Sequence, residues 1–97
     1  MYARVTQDPI RPGKLGQAIK VERDSILRAA TVEKGFKGMY FLTNCKTGKG
    51  MTISLWDTEE DMMAAEKSGY YGEQLAKLLP LLSGPPIREY YEVNVQG

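Results

Sequence analysis

Apolar and polar residues follow each other along this chain in two periods, and together they predict six main elements. Period-two alternation, which is typical of strands, runs over residues 2–6, 36–44, 51–56 and 87–95. Apolar residues about 100° apart on a helical wheel run over 14–30 and, with a break at Ser68-Gly69, over 58–82. The order strand, helix, strand, strand, helix, strand is the βαββαβ plan of an α+β, ferredoxin-like domain. Its four antiparallel strands form one sheet, and its helices cover one face.

Three local signals predict where these elements begin and end. Asp8-Pro9 should interrupt regular structure after Thr6, because a proline cannot donate a hydrogen bond to a strand ladder. Residues 45–50 should form the hairpin loop between the second and third strands, since Gly48 and Gly50 can adopt positive φ. Thr58, followed by three acidic residues, should cap the helix after the third strand.

Both faces of the predicted sheet are partly apolar. In the third strand Met51, Ile53 and Leu55 face one side, and the opposite side ends in Trp56. The helices can cover only one face of a four-stranded sheet, so the other face would be left exposed to water. We therefore expect a homodimer formed through the open sheet face, with an ordinary interface of about 800 Å² per partner.

Composition and charge narrow the class of protein. The chain has 97 residues, is 42% apolar and 26% charged, and fits one soluble domain spanning residues 1–97. Its net charge is +1 with no basic block, so we expect no nucleic-acid partner. No apolar run approaches the ~20 residues of a membrane helix, so we expect no membrane partner. A single cysteine, Cys45, and the absence of an apolar leader predict a cytoplasmic protein.

The chain contains no histidine. This excludes the commonest general base at neutral pH and the commonest ligand of zinc and haem iron. Catalytic triads built on histidine are excluded for the same reason. We therefore predict no metal site and no cofactor.

Glu22 is the least expected residue of the first predicted helix, because it lies within the apolar stripe that includes Leu15 and Ile26. If the stripe faces the sheet, burial would raise the pKa of this carboxyl and make it a proton acceptor near neutral pH. A salt bridge to Arg4 or Arg23, or a helix rotated so that Glu22 meets solvent, would leave it a structural residue.

Four further residues are candidates for binding a substrate. Trp56, the only tryptophan, could wall a pocket or donate its indole N–H, although it could equally be a packing residue. The hydroxyl groups of Tyr40 and Tyr90 could contact a bound aromatic molecule, or both rings could pack in the sheet or its interface. Arg4 could hold an anionic oxygen. Tyr70-Tyr71 lie between two glycines and could gate a pocket or anchor the last helix.

Three stretches resemble the antibiotic biosynthesis monooxygenase-like domain. They are residues 35–40 (Gly-Phe-Lys-Gly-Met-Tyr), 54–61 (Ser-Leu-Trp-Asp-Thr-Glu-Glu-Asp) and 79–86 (Leu-Pro-Leu-Leu-Ser-Gly-Pro-Pro). The resemblance covers nearly the whole chain and implies a dimeric α+β barrel in which the sheets of two copies pack together. Members of the family include cofactor-independent oxygenases of aromatic phenols, quinol oxygenases, haem-degrading oxygenases and proteins with no known activity.

The haem-degrading branch uses an asparagine after the first strand, a tryptophan, and a histidine on the second helix. Trp56 matches the tryptophan, but Thr6 or Gln7 occupies the asparagine position and no histidine exists, so we expect no haem degradation by that mechanism. The resemblance instead implies a monooxygenase that uses no cofactor and acts on a small aromatic phenol or quinol, and the position of Glu22 in the apolar stripe suggests that residue as the base. The alternatives are a non-catalytic dimer that binds a small molecule or assists a stress response, and a purely structural dimer.

Overall fold

Four antiparallel strands and three helical rods make up the structure, a computed structural model that describes residues 1–97. The strands are β1 (Tyr2–Pro9), β2 (Phe36–Asn44), β3 (Lys49–Trp56) and β4 (Ile87–Glu92). The first rod consists of α1 (Leu15–Val21), a π-helical turn (Glu22–Ile26) and α2 (Leu27–Ala30). The other rods are α3 (Glu59–Lys67) and α4 (Tyr70–Leu78), and a 3₁₀ turn (Leu79–Leu81) follows α4.

The strands form one sheet in the order β2-β3-β1-β4, and every neighbouring pair is antiparallel. The helices pack on the face of the sheet that carries the side chains of Arg4, Thr52 and Trp56. The predicted α+β, ferredoxin-like fold is therefore confirmed. No helix in the structure combines the length and the apolar character that a membrane crossing requires.

The predicted end of the first strand at Thr6 was wrong, because β1 continues through Asp8 and Pro9. Asp8 pairs with Gly50 and Pro9 with Lys49, the first residue of β3. At this terminal position the carbonyl of Pro9 still accepts a 2.8 Å hydrogen bond from the backbone N–H of Ser83. The three extra residues keep the alternation of the strand, so the side chain of Asp8 lies on the face that the helices cover. The edge strand β4 ends at Glu92, before the predicted end of the last strand at residue 95.

A π-helical turn interrupts the first rod at Glu22–Ile26. Its defining bond runs from the N–H of Leu27 to the carbonyl of Glu22, five residues back, instead of the four of an α-helix. The backbone dihedral angles at Val21 and Leu27 stay helical, so the rod is continuous through the turn. Such turns occur frequently at functional sites. Here the turn begins at the one buried acidic residue of the rod, Glu22.

The core is divided into two apolar clusters with a polar layer between them. One cluster, with Ile10 and Leu78 at its centre, lies at one end of β1, and the other, with Trp56 and Met62, lies at the opposite end. Between them the covered face of the sheet presents polar side chains, which are buried nonetheless. The buried polar residues are Arg4, Thr6, Asp8, Glu22, Ser54 and Gln74. Buried polar groups need hydrogen-bond partners, so this layer is where chemistry is to be expected.

The opposite face of the sheet is apolar and uncovered. It carries the exposed side chains of Tyr40, Leu42, Ile87 and Tyr91. These four residues lie on strands β2 and β4, the two edges of the sheet. An apolar surface of this kind is rarely left exposed to water in a soluble protein.

Gly35 allows the chain to turn from the first rod into β2. Its φ is +81°, and its carbonyl accepts a 2.8 Å bond from the N–H of Asp57. An added Cβ would overlap the side chain of Asp61. We predict that Gly35→Ala lowers the free energy of unfolding by about 1–3 kcal/mol, because alanine must adopt a left-handed conformation there.

The matched control is Gly16→Ala, at an exposed position of α1 where an added Cβ meets nothing within 4 Å. This substitution should raise the free energy of unfolding by about 0.5–1 kcal/mol, because alanine is the better helix former. Urea denaturation of the two variants measures both effects. Equal changes in the two variants would contradict the role given to Gly35.

Candidate functional site

Two carboxyl groups and one hydroxyl group meet in the polar layer. Glu22 comes from the π-helical turn, Thr52 from the middle of β3 and Asp8 from the end of β1. The Thr52 hydroxyl lies 2.9 Å from Glu22 Oε1 and 3.0 Å from Asp8 Oδ2. Glu22 is 2% exposed and Asp8 is 1% exposed. Their other oxygens, Glu22 Oε2 and Asp8 Oδ1, are buried without a hydrogen-bond partner.

Both carboxyl groups hold their protons more tightly than usual. Burial raises the pKa of Glu22 from 4.5 to about 7, the Thr52 hydroxyl opposes this rise, and the nearby charge of Asp8 adds to it. Burial also raises the pKa of Asp8, from 3.8 to about 6, again opposed by Thr52. Glu22 therefore changes its protonation state near neutral pH, which is the range that suits a general base.

A small cavity of about 40 Å³ separates the first rod and α4 from the sheet at this point. Glu22, Thr52 and Arg4 line it together with the rings of Tyr70 and Tyr71. A volume of this size holds a few water molecules or a diatomic molecule, but no aromatic ring. The cavity thus brings together two residues that the sequence singled out, Glu22 and Arg4.

A wider groove of about 270 Å³ lies on the other side of Glu22. Its apolar walls come from the first rod and from β2, and they include Ile19, Leu27, Met39 and Phe41. Glu22 and Met39 line both the groove and the small cavity. A depression of about 530 Å³ lies at the hairpin end of the sheet, where Asp8 lines it and Glu22 does not.

Arg4 is buried among aromatic rings and is only 4% exposed. Its guanidinium carbon lies 4.3 Å from the ring centroid of Tyr71 and 5.5 Å from that of Trp56. Its Nη1 is 3.5 Å from Glu66 Oε2, an ion pair without a hydrogen bond. The donors of this nitrogen are therefore available to an anionic oxygen in the cavity.

The proposed salt bridges of Glu22 do not form. Arg4 pairs with Glu66, and Arg23 pairs with Asp24 at 2.9 Å on the surface. The alternative of an exposed Glu22 is also not realised, since the carboxyl is buried against the sheet. The hydrogen-bond partner of Glu22 is Thr52, a neutral hydroxyl, and it only partly opposes the rise in pKa that burial causes.

The structure places the three aromatic candidates away from the cavity. Trp56 is completely buried, packs on Met62 of α3, and donates its indole N–H to Ser54 Oγ at 3.0 Å. Tyr40 is 61% exposed on the uncovered face of the sheet. Tyr90 lies on the covered face, but its hydroxyl is 2.8 Å from both carboxylate oxygens of Glu66.

The sequence did not indicate Asp8 or Thr52 as site residues. Asp8 was assigned to a break in structure because proline follows it, although Arg4, Thr6 and Asp8 share one phase of the β1 alternation. Extending that phase by one step would have placed Asp8 under the helices. Thr52 belongs to the same face of β3 as Ser54 and Trp56, but no pattern along the chain shows that it lies between two acids. The structure contains no group of three or more acidic, cysteine or histidine side chains that could hold a metal ion.

The raised pKa of Glu22 predicts how stability depends on pH. Because the folded value (about 7) lies above the ordinary value (4.5), the protonated form stabilises the fold at low pH. This contribution is lost as the pH rises through about 7, and it amounts to about 3 kcal/mol at 1.36 kcal/mol per pH unit. We predict that the free energy of unfolding falls between about pH 4.5 and pH 7.5, and that Glu22→Gln removes the contribution of Glu22 and leaves a smaller fall at lower pH from Asp8, whose pKa is also raised.

Urea denaturation at a series of pH values measures this dependence. Glu60→Gln is the matched control, because Glu60 is an exposed residue of α3 and its replacement should leave the pH dependence unchanged. Parallel curves for the wild type and Glu22→Gln would show that Glu22 does not titrate in this way.

Comparisons with known proteins find similarity in structure, although no protein-family model and no curated protein sequence matches the chain. A monooxygenase from Streptomyces coelicolor, solved with the ligand nanaomycin D, is 14% identical with a TM-score of 0.83, and the match covers 98% of this chain and 88% of that one. SnoaB, a cofactor-independent oxygenase from Streptomyces nogalater, has a TM-score of 0.83 at 10% identity, with 98% and 94% covered. A protein of unknown function from Nitrosomonas europaea is 20% identical with a TM-score of 0.80, with 99% and 91% covered.

These identities, between 10% and 20%, establish the fold and not an activity. A further solved structure with a TM-score of 0.77 is described as an antibiotic biosynthesis monooxygenase. The resemblance found in the sequence is thus confirmed at the level of the fold. The chain has the fold of the antibiotic biosynthesis monooxygenase-like domain.

Proposed function

We propose that this protein is a monooxygenase that uses no cofactor and acts on a small aromatic phenol or quinol. The observation that carries the proposal is the carboxyl of Glu22, which is buried beside a cavity with one oxygen unpartnered and a pKa near 7. Two solved structures of the same fold, from Streptomyces coelicolor and Streptomyces nogalater, are described as a monooxygenase and a cofactor-independent oxygenase. Their descriptions support the class of reaction, and the geometry of Glu22 supports the role of a base.

The substrate ring fits the groove better than the cavity. Both walls of the groove carry apolar side chains, although Arg23 and Thr43 also line it. Its volume of about 270 Å³ is just below the usual range for ligand sites, whereas the cavity has only about 40 Å³. A ring in the groove would direct its hydroxyl group to Glu22. Met39 borders both spaces, and because a methionine side chain is flexible, its movement would join them. Dioxygen would then occupy the cavity, with Arg4 beside it.

The reaction needs only proton transfers from the protein. Glu22 removes the phenolic proton, and the electron-rich phenolate forms a carbon–oxygen bond with dioxygen at a ring carbon that carries hydrogen. Arg4 Nη1 stabilises the resulting peroxide anion. Glu22 returns the phenolic proton to the distal peroxide oxygen. Loss of the hydrogen on the ring carbon as a proton then breaks the O–O bond, so one oxygen remains as a quinone carbonyl and the other leaves as hydroxide, which the released proton converts to water. The substrate supplies all the electrons, and phenol plus dioxygen balance quinone plus water.

We further propose that a second copy of the chain covers the open sheet face, as the apolar residues Tyr40, Leu42, Ile87 and Tyr91 favour. Tyr40 would then serve the dimer rather than the groove. Trp56 would contribute indirectly, because it packs beside Arg4 and donates to Ser54, which lines the cavity.

A second function has a specific observation in its favour. The groove is open and apolar, and the unpartnered oxygen of Glu22 is buried, so a ligand could occupy the groove without giving up a proton. The protein would then bind a small molecule without converting it. Ligands that raise the melting temperature and are recovered unchanged would support this function over the oxygenase.

Turnover of a panel of phenols and quinols, measured as oxygen consumption, tests the oxygenase. We predict that Glu22→Gln lowers kcat by about 10²–10⁴-fold, because the glutamine cannot accept the proton. The exposed replacement Glu60→Gln is the control and should keep full activity. An active Glu22→Gln variant would remove Glu22 as the base, and the absence of turnover with every compound would favour the binding function.

Light scattering at micromolar concentration tests the assembly. We predict a dimer, and we predict that Leu42→Asp converts it to a monomer, because a buried carboxylate at the interface costs several kcal/mol. Val32→Asp is the control: Val32 is 81% exposed and lies outside the sheet, so this variant should remain a dimer. A monomeric wild type would leave the apolar face without the proposed partner.

A further inference from the structure

We propose that Asp8, Thr52 and Glu22 form one unit that holds a single shared proton, and that Asp8 is the positioning residue that sets the protonation state of Glu22. The role of Glu22 as a base rests on the proposed function. The sharing of the proton rests on the geometry alone, and it can be tested without any turnover.

The single hydrogen of the Thr52 hydroxyl limits the protonation states of the two carboxyl groups. This oxygen is within hydrogen-bond distance of both Glu22 Oε1 (2.9 Å) and Asp8 Oδ2 (3.0 Å). A hydroxyl carries one hydrogen, so it can donate to one carboxylate only. If both acids were ionised, the second contact would place two sets of lone pairs against each other. The two contacts are both favourable only when one carboxyl is protonated and donates to Thr52, which in turn donates to the other.

The charged groups around Glu22 and Asp8 also favour a shared proton. Neither carboxyl forms an ion pair, although both are almost fully buried. The neighbouring cations contact other groups: Arg4 pairs with Glu66, although its Nη1 forms no hydrogen bond and faces the same cavity, Arg23 pairs with Asp24, and Lys77 donates to Ser25. The other titratable groups that line the cavity are the hydroxyls of Tyr70 and Tyr71 on α4, and neither is a cation. Two buried negative charges side by side would be strongly unfavourable, so a shared proton is the compensation available.

The shared proton determines how Glu22 can act as a base. With the proton on Asp8, the hydrogen of Thr52 points to Glu22, and Glu22 is ionised with Oε2 free. A proton taken up at Oε2 leaves both acids protonated. That proton must leave from Oε2 before the pair again holds one proton. While one acid is ionised, two concerted hops through Thr52 exchange the states of the two acids and leave the hydroxyl neutral. Asp8 thereby acts on the substrate only through Glu22.

The test is a ¹³C NMR titration of the side-chain carboxyl groups over the full pH range of the folded protein. We expect Glu22 and Asp8 to titrate in two coupled steps in the wild type, with one protonated carboxyl of the pair between the steps. In Asp8→Asn, the amide donates to Thr52 permanently and the second negative charge is absent. The titration of Glu22 should therefore shift to lower pH and become a single step.

Two substitutions at Thr52 separate the hydroxyl from the shape of the side chain. Thr52→Val removes the donor, and the titration of Glu22 should shift to higher pH. Thr52→Ser keeps the hydroxyl and should reproduce the coupled steps of the wild type. Asp57→Asn is the control for the loss of a carboxyl, because Asp57 is exposed in the turn between β3 and α3 and should not change Glu22. Circular dichroism establishes that each variant is folded.

An unchanged Glu22 titration in Asp8→Asn would overturn the proposal, and so would a wild-type titration of Glu22 in one independent step. A Mg²⁺-dependent disappearance of the protonated carboxyl would also overturn it, because a cation would then occupy the place given to the proton. Coupled titration in a protein that oxidises no phenol would support the shared proton and reject the oxygenase. Loss of activity in Glu22→Gln without coupling to Asp8 would support the oxygenase and reject the shared proton.

Discussion

The position of β1 in the sheet is the constraint on which the rest of the structure depends. This strand is hydrogen-bonded on both sides, to β3 and, over Tyr2–Gln7, to β4, and one of its faces is turned to the helices. Its alternate residues are therefore buried whatever their chemistry, and here they are Arg4, Thr6 and Asp8. Burying polar groups without partners is costly. The surrounding elements supply partners for most of them: Glu66 and Tyr71 for Arg4, and Thr52 for Asp8.

The groups that remain without partners define the candidate site. Arg4 Nη1, Asp8 Oδ1 and Glu22 Oε2 are the buried side-chain atoms for which the structure offers no hydrogen bond. All three belong to residues that line one small cavity. A native protein keeps few such atoms, and each one calls for an explanation. In this protein a single explanation covers all three, because donors and acceptors that face a common space can act on a molecule that enters it.

The sequence predicted the fold because the two periods, of strands and of helices, are clear along most of the chain. Glu22 could be recognised for the same reason, as a carboxylate in an apolar stripe. Asp8 could not, because the local rule for proline outweighed the alternation of β1, and the tertiary pairing with Lys49 and Gly50 overrode that rule. Tyr40 and Trp56 show what the alternation along a strand cannot predict. Their strands and faces followed from the alternation, but their distance from a cavity depends on packing in three dimensions.

The π-helical turn has a consequence for how such a site could arise. A turn of this kind differs from regular α-helix by one extra residue, and one residue corresponds to a rotation of about 100° about the helix axis. Removing a single residue from Glu22–Ile26 would restore a regular α-helix. It would also rotate the part of the rod after the turn relative to the part before it. Glu22 and the apolar residues around Ile26 could then no longer face the sheet together. In evolution, a one-residue insertion in an ancestral helix could thus bring an acid over Thr52 while leaving all four strands untouched. The direction in which Glu22 points therefore depends on the number of residues in the first rod as much as on which residues they are.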